Sequence, residues 1–190
     1  MPPKVRISKE DILQAALELV RRGGAETVNA RSLAAALQCS TQPIFSNFTT
    51  MEELEKSTIA AAYELYISFI RQETQRGEYP VYKAYGMAYL RFAMEEPALF
   101  KLLFMRDRRG EDLSPPTDYL ESEQLIMQAN GVSRETAQLI HLETWACVHG
   151  IGVMLATSFL PLEWDLISRM VSDAYQGIRA IHTQGGTEKS

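Results

Sequence analysis

The sequence contains few cysteines and few histidines. Its two cysteines, Cys39 and Cys147, lie far apart and neither has a CxxC partner, so we expect neither a disulfide framework nor a structural zinc site. His141 and His149 are separated by eight residues of helix, about 12 Å, which is too far to chelate one ion. No HExxH, Gly-rich phosphate loop or Ser, His and acid set is present. We therefore predict no enzyme, no metal site and no cofactor.

Long apolar runs are also scarce. The first eleven residues hold no apolar stretch of signal-peptide length, and the longest nearly uncharged run, residues 146–162, is interrupted by glycines, a histidine and hydroxyl side chains. A membrane-spanning helix needs about 20 predominantly apolar residues, so this run predicts a buried helix instead. We expect a cytoplasmic protein with reduced thiols.

The chain has no overall excess of positive charge, since its net charge is -5. That value alone argues against nucleic acid as a partner, but the distribution along the chain is uneven. In residues 1–50, six basic side chains stand against four acidic ones, so this part carries +2 and the other 140 residues carry -7. A mildly basic head thus precedes an acidic body.

Strand patterns are nearly absent, and helical spacing is found throughout. Ser8 and Asp11 form a capping-box pattern, apolar residues from Ile12 to Val20 follow with helical periodicity, and Gly23-Gly24 ends the segment. The sequence predicts an all-α fold of about nine helices. Their predicted ranges are about 8–23, 30–37, 40–48, 51–76, 81–96, 97–105, 118–130, 133–159 and 162–182.

Helix caps and loops divide this pattern into two predicted domains. Asn29, Ser40 and either Thr49 or Thr50 are the predicted caps of the second, third and fourth helices. Residues 106–118 are charged, rich in Gly and Pro, and predicted to form a surface loop. We expect a three-helix domain over residues 1–50 and a helical domain over residues 51–190.

The second and third predicted helices have the spacing of a helix-turn-helix. They are short, a tight turn at Gln38-Cys39 joins them, and the second is polar on its outer side. Ile44 and Phe48, at i and i+4, are the predicted inward pair, which leaves the remaining side chains facing outward. The predicted DNA contacts are Lys4, Arg6, Arg31, Ser40, Thr41, Gln42, Pro43, Phe45, Ser46 and Asn47.

These residue types suit DNA recognition. Gln and Asn can pair with adenine through two hydrogen bonds, Ser and Thr hydroxyls can bind phosphates, and Pro43 or Phe45 can press on a thymine methyl. Arg31 can reach a phosphate, and a basic arm with Lys4 and Arg6 can enter a minor groove. The alternative is that the polar residues are merely solvated and that Phe45 belongs partly to the core.

Residues 27–54, TVNARSLAAALQCSTQPIFSNFTTMEEL, resemble the DNA-binding region of the TetR family of bacterial transcriptional regulators. The positions that match or conservatively replace the family pattern are Thr27, Arg31, Leu33, Ala34, Ser40, Ile44, Phe48, Glu52 and Leu54. Three positions depart from it: Phe45 replaces a Tyr, Asn47 a His and Met51 a Lys. The resemblance implies DNA binding with fewer phosphate contacts than usual, and hence a weaker salt dependence.

A second motif, WACVHG at residues 145–150, resembles the Trp-His-Gly type of ligand-binding domain in that family. Trp145 and His149 share one helix face. The resemblance implies a ligand pocket among aromatic helix faces, although aromatics at helical spacing can equally form an ordinary core. The predicted pocket residues are Tyr63, Tyr66, Phe69, Tyr82, Tyr85, Met87, Tyr89, Phe92, Trp145 and His149.

Gly150 and Gly152 lie inside a predicted helix, where each costs up to about 1 kcal/mol relative to Ala. They indicate the close approach of another helix, either from the same subunit or from a second copy. The resemblance implies that the last two helices pair with those of a second subunit. The predicted interface residues are Val153, Met154, Leu155, Phe159, Trp164, Ile167, Met170, Val171, Tyr175 and Ile178.

Taken together, these patterns and the resemblance predict a dimeric, ligand-responsive DNA-binding transcriptional regulator. We expect a repressor that a small molecule releases from a palindromic operator. The alternative is a helical protein-interaction module that does not bind DNA.

Overall fold

The computed structural model describes residues 7–110 and 117–184. These residues form helices and no β-strand, so the predicted all-α fold is confirmed. Lys4 and Arg6 lie outside the described residues. The helices are α1 (Lys9–Gly23), α2 (Ala30–Ala36), α3 (Gln42–Asn47), α4 (Met51–Arg76), α5 (Val81–Glu95), α6 (Pro97–Phe104), α7 (Thr117–Asn130), α8 (Arg134–Ala156) and α9 (Trp164–Gln184), with a short 3-10 turn at Ala25–Thr27.

The first two caps form as predicted from local sequence. The amide of Asp11 donates to Ser8 Oγ at 3.1 Å while the amide of Ser8 donates to Asp11 Oδ2 at 2.8 Å, a complete capping box. Asn29 Oδ1 accepts from the amides of Arg31 and Ser32 at 3.1 and 3.0 Å. Both motifs act within four residues of chain, which is why the sequence predicts them well.

The predicted cap of α3 is wrong by one residue. Thr41 occupies the cap position instead of Ser40, and its backbone is already helical, with no hydrogen bond from its side chain. A cap oxygen normally accepts from the second or third amide of the helix. A cap at Ser40 would have to use the amide of Gln42 or the nitrogen of Pro43, and proline has no N–H.

By packing, the described part of the chain forms two compact units. The first holds the residues up to Ile67 together with Glu96–Arg106. Within it α1 packs against α2, α3 and α6. Its buried centre contains Ile12, Ala16, Leu33, Ala34, Ile44, Phe48 and Leu54. The first unit is thus larger than the predicted domain 1–50, because it also takes in the start of α4 and the whole of α6.

The second compact unit holds Ser68–Glu95 and the described residues from Asp107 onward. Here α8 packs against α5, α7 and α9, so it lies at the centre of the unit. Among the described residues α8 is also the helix long and apolar enough, by length and composition alone, to cross a membrane, a test that core helices of globular proteins also pass. Ile126, Ala137 and Ile140 are fully buried between α7 and α8.

Candidate functional site

The turn between α2 and α3 holds the third helix firmly on the head. Gln38 has a positive φ of 51°, and the amide of Cys39 donates to the carbonyl of Ala34 at 2.9 Å. Ile44 and Phe48 are both 1% exposed and belong to the buried centre of the first unit. The apolar face of α3 therefore points inward, and its opposite face is left for other contacts.

That outer face carries polar side chains with few internal partners. Gln42, Ser46 and Arg31 are exposed, and neither Arg31 nor Gln42 makes a side-chain hydrogen bond or ion pair among the described residues. Ser46 Oγ donates to the carbonyl of Gln42 at 2.9 Å. Phe45 is 53% exposed, so it is not the core residue of the alternative interpretation. Gln42 and Phe45 of α3, together with Arg31 of α2, form what we call the α3 face.

Asn47 lies differently from its neighbours. It is half-buried, and its Nδ2 donates to the carbonyl of Pro43 at 2.8 Å and to the carbonyl of Ile7 at 3.4 Å. The amide nitrogen is therefore engaged inside the protein, where it links α3 to the segment before α1. Of the other predicted contacts, Ser40 is exposed, whereas Thr41 and Pro43 are half-buried.

Lys9 is a basic residue of the head that the sequence analysis did not include among the DNA contacts. Its Nζ lies 3.6 Å from Glu53 Oε1 and 4.7 Å from the ring centroid of Phe48. Glu53 also accepts from the amide of Thr49 at 2.8 Å, and its own amide donates to Thr50 Oγ1 at 3.1 Å. Thr50 is thus the residue whose side chain caps α4, and Glu53 draws Lys9 toward the start of that helix.

In the second unit, two tyrosine–histidine pairs join α5 to α8. Tyr82 Oη lies 3.0 Å from His141 Nδ1, and Tyr89 Oη lies 2.7 Å from His149 Nδ1. Burial lowers the pKa of both histidines and raises the pKa of both tyrosines. Near neutral pH each pair consists of a neutral imidazole and a neutral phenol joined by one hydrogen bond, and the tautomer of the histidine sets which group donates.

The predicted pocket residues fall into two groups. Tyr63 and Tyr66 lie in the first unit, where Tyr66 packs edge-on against Phe104 with the ring centroids 5.3 Å apart. The others lie in the second unit, where Phe69 contacts Phe92 edge-on at 5.3 Å. Met87, Tyr89 and Phe92 are buried there.

Tyr85 and Trp145 lie toward the surface of the second unit. Tyr85 Oη donates to Glu121 Oε2 at 2.8 Å, and burial together with that carboxylate raises the pKa of Tyr85 to about 12. Trp145 is exposed and stacks on His149, with the ring centroids 4.9 Å apart and the planes 16° from parallel. The Trp-His motif thus forms a stack that runs from the surface of α8 to the buried hydroxyl of Tyr89.

Two carboxylates in the second unit are buried, which helical spacing alone does not predict. Glu73, which is 1% exposed, accepts from Arg91 Nε and Arg76 Nη1, both at 2.9 Å, and both bonds use Oε2. Glu123 is 2% exposed and accepts from Arg134 Nε at 3.1 Å, again through Oε2. The Oε1 atom of each is buried without a hydrogen-bond partner in the part of the chain that the structure describes.

The predicted interface residues of α8 and α9 do not share one face. Ile167 and Val171 are buried in the core of their own chain, so we remove them from the interface set. Tyr175 accepts a hydrogen bond from Asn130 at 3.0 Å, Ile178 packs against the cluster around Ile140, and Trp164 stacks under Arg91, 4.3 Å from its guanidinium carbon. Met154, Leu155 and Met170 are half-buried, and Phe159 is exposed.

Other apolar side chains on these two helices and on the loop between them are exposed instead. Besides Phe159 and Trp145, the exposed residues are Leu139, Leu142, Leu160, Leu166 and Ile181. A Cβ added at Gly150 would meet nothing within 4 Å among the described residues, so no helix of the same subunit approaches closely there. The close approach predicted at Gly150 is therefore left to a helix of a second copy of the chain.

A head with a helix-turn-helix and a body of packed helices defines a class of helical regulators. Residues 82–173 match the family model described as the tetracyclin repressor-like C-terminal domain. No curated protein matches the chain. This part of the body is similar to a tetracyclin repressor-like C-terminal domain, so the resemblance to TetR-family transcriptional regulators is confirmed; the narrower Trp-His-Gly type stays a prediction.

Proposed function

We propose that this protein is a cytoplasmic transcriptional repressor that binds a palindromic operator as a homodimer and leaves it when a small molecule binds the body. The observation that carries the proposal is the α3 face. Gln42 and Phe45 are exposed on α3 and Arg31 is exposed on α2, whereas Ile44 and Phe48 are buried. The match of the body to a tetracyclin repressor-like domain supports the same class of function.

On DNA, α3 would enter the major groove with Gln42 at its first turn. The Gln42 amide can pair with an adenine, the Phe45 ring can contact a thymine methyl, and the Arg31 guanidinium can bind a phosphate. Asn47 would act mainly by holding α3, since its amide nitrogen already bonds to Pro43 and Ile7. Two heads related by a two-fold axis would read two half-sites about one or more helical turns apart.

The releasing ligand would bind in the second unit, where α5 and α8 carry polar groups inside an apolar surrounding. A ligand shifts the protein away from DNA only if it binds the DNA-free state more tightly. The neutral phenol and imidazole groups of the two tyrosine–histidine pairs can donate or accept hydrogen bonds at low cost in charge burial. We assign no catalytic role to them, in keeping with the regulator domain that the body matches.

The experiment that tests the proposal is selection of duplexes from a random library by the purified chain at moderate salt. We expect enrichment of an inverted repeat, lost in the triple variant Arg31→Ala, Gln42→Ala, Phe45→Ala. The matched control is Gln14→Ala, an exposed glutamine on α1, which should leave the enriched motif unchanged. Failure to enrich any sequence even at low salt would contradict the proposal.

The second candidate is a protein-interaction module, and the exposure of Phe45 favours it, since an exposed aromatic ring also suits an apolar protein contact. Salt separates the two functions. DNA binding through phosphates falls steeply as salt rises, whereas an apolar protein contact changes little. A steep slope that becomes shallower in Arg31→Ala identifies DNA as the partner.

A further inference from the structure

Glu123 and Glu73 are both buried, but their charges are balanced to different degrees. Glu73 faces two guanidinium groups at 2.9 Å. Glu123 has one ion partner among the described residues, Arg134 at 3.1 Å, and the side chain of Arg134 is 64% exposed. A carboxylate taken out of water needs hydrogen bonds to both oxygens to offset its desolvation. Both acids lack a donor at Oε1 among the described residues, but the charge of Glu123 is balanced by one exposed guanidinium, whereas that of Glu73 is balanced by two.

The groups around Glu123 form a polar and aromatic cluster inside the second unit. His141, which is buried, feels the carboxylates of Glu123 and Asp118, and both oppose the lowering of its pKa by burial. Tyr119 packs edge-on against His141, with the ring centroids 4.5 Å apart, and its own pKa is raised by burial and by Glu123. Tyr82 bonds to His141 from α5. The cluster thus draws on α5, α7 and α8.

Among the described residues, Arg134 is a cation that donates to this cluster, and it reaches Glu123 from the surface. His141 is held neutral by burial, and the two tyrosines contribute neutral hydroxyls and the electron-rich faces of their rings. Aromatic faces beside a carboxylate are the surroundings in which proteins bind organic cations. A charged N–H group on Glu123 Oε1 would supply the missing hydrogen bond. It would also neutralise the carboxylate from the interior, whereas Arg134 does so only from the surface.

We propose that Glu123 is the anchoring carboxylate for the effector, and that the effector is a small arylalkyl amine whose ammonium group donates to Glu123 Oε1. This inference rests on the proposed function, since it names the chemical class of the releasing ligand. The apolar part of the amine would lie against Tyr119 and Tyr82.

The test uses the full chain and three pairs of probes that differ only in charge. Each pair joins an amine to the alcohol of the same shape: benzylamine with benzyl alcohol, 2-naphthylmethylamine with 2-naphthalenemethanol, and 4-phenylbenzylamine with 4-phenylbenzyl alcohol. Calorimetry at pH 7 should show at least one amine binding about tenfold or more tightly than its alcohol, as expected for a charge-assisted hydrogen bond. Equal binding within every pair, or no binding of any amine, overturns the proposal.

Two variants and a control assign the preference to Glu123. Glu123→Gln should abolish the preference for the amine, and Glu121→Gln, an exposed acid on the same helix, should retain it. Arg134→Gln removes the competing cation and should tighten amine binding. Because Arg134 is mostly exposed, Arg134→Gln should still fold. It therefore provides the test if Glu123→Gln fails to fold, as judged by circular dichroism. An amine preference that survives in a folded Glu123→Gln, or weaker amine binding in Arg134→Gln, overturns the proposal.

The duplex selection separates this inference from the proposed function. If amine binding depends on Glu123 but the chain enriches no duplex, the amine site is supported and the proposed repressor function is contradicted. If the chain enriches an inverted repeat but shows no preference for the amines, the repressor function is supported and the amine site is contradicted. Where both hold, the amine that binds best should displace the chain from the enriched duplex, and Glu123→Gln should stay bound to it.

Discussion

Arg21 and Glu96 form a bidentate ion pair: Arg21 Nε and Nη2 each lie 2.8 Å from a different carboxylate oxygen of Glu96. Glu96 directly precedes α6, and Arg21 lies in the last turn of α1. The Glu96 carboxylate raises the pKa of Arg21, against the opposing effect of burial. This pair fastens the segment after α5 to the first helix of the head.

Loss of the Arg21–Glu96 pair should lower stability measurably. The pair is partly buried and bidentate, so we expect Glu96→Gln to cost about 1 kcal/mol, or about 2–4 °C in the unfolding midpoint of a chain of this size. Thermal unfolding followed by circular dichroism measures the change. The matched control is Glu95→Gln, which removes an exposed acid 3.8 Å from Arg91 and should change the midpoint by less than half as much.

Phe48 and Phe45 should separate stability from DNA recognition. Phe48→Ala opens a cavity beneath α3 and should cost about 3–5 kcal/mol of unfolding free energy. Phe45→Ala removes an exposed ring and should change stability by less than about 0.5 kcal/mol while weakening binding to the selected duplex. Denaturant unfolding and duplex titration on both variants check this. A large stability loss in Phe45→Ala would show that its ring belongs to the core.

The buried His141 should make stability depend on pH in a defined window. Burial lowers the pKa of His141 in the folded chain below its value of about 6.5 in the unfolded chain. Above that value both states are neutral and the stability is complete. As the pH falls below about 6.5 the unfolded state binds the proton first, so stability decreases by up to about 1.4 kcal/mol per pH unit.

Unfolding midpoints measured between pH 7.5 and 5 test that window. His141→Gln should reduce the slope in this range, and His149, whose pKa burial also lowers, should account for the slope that remains. His182→Gln, a histidine bonded to Glu143 at 3.1 Å, serves as the comparison. If the slope below pH 6.5 persists unchanged in His141→Gln, another group is responsible for it.

The exposed apolar residues of α8 and α9 should carry the dimer. Leu142 and Ile181 are both exposed, and each lies next to a member of the Glu143–His182 pair that joins the two helices. Burial of such side chains contributes about 1.5–3 kcal/mol each. Leu142→Glu and Ile181→Glu should therefore shift the chain toward monomer in sedimentation velocity. Met94→Glu, an exposed apolar residue on α5, should not.

Local motifs were predicted well because their partners are close in the chain. The Ser8–Asp11 box, the Asn29 cap and the inward placement of Ile44 and Phe48 follow from spacings of three or four residues. The predicted cap of α3 is one residue off, and Pro43 removes one of the two amides that a cap at Ser40 could use.

Tertiary pairing was not predictable in the same way. Tyr82 and His141 are 59 residues apart, and Glu73 and Arg91 are 18 apart, so no periodicity links them. The burial of Ile167 and Val171 was missed for a related reason. A helix with apolar residues on two sides does not show by spacing alone which side faces its own chain and which faces a second copy.

The packing of α6 on α1 has a consequence for protein engineering. Because the first compact unit draws on two separate stretches of chain, the residues up to Ile67 and Glu96–Arg106, a head cut out at residue 50 would leave behind α6 and the acid partner of Arg21. Exchanging heads between relatives should therefore transplant both stretches together. A chimera joined at a single point in α4 would combine an α1 with an α6 that was not selected to fit it.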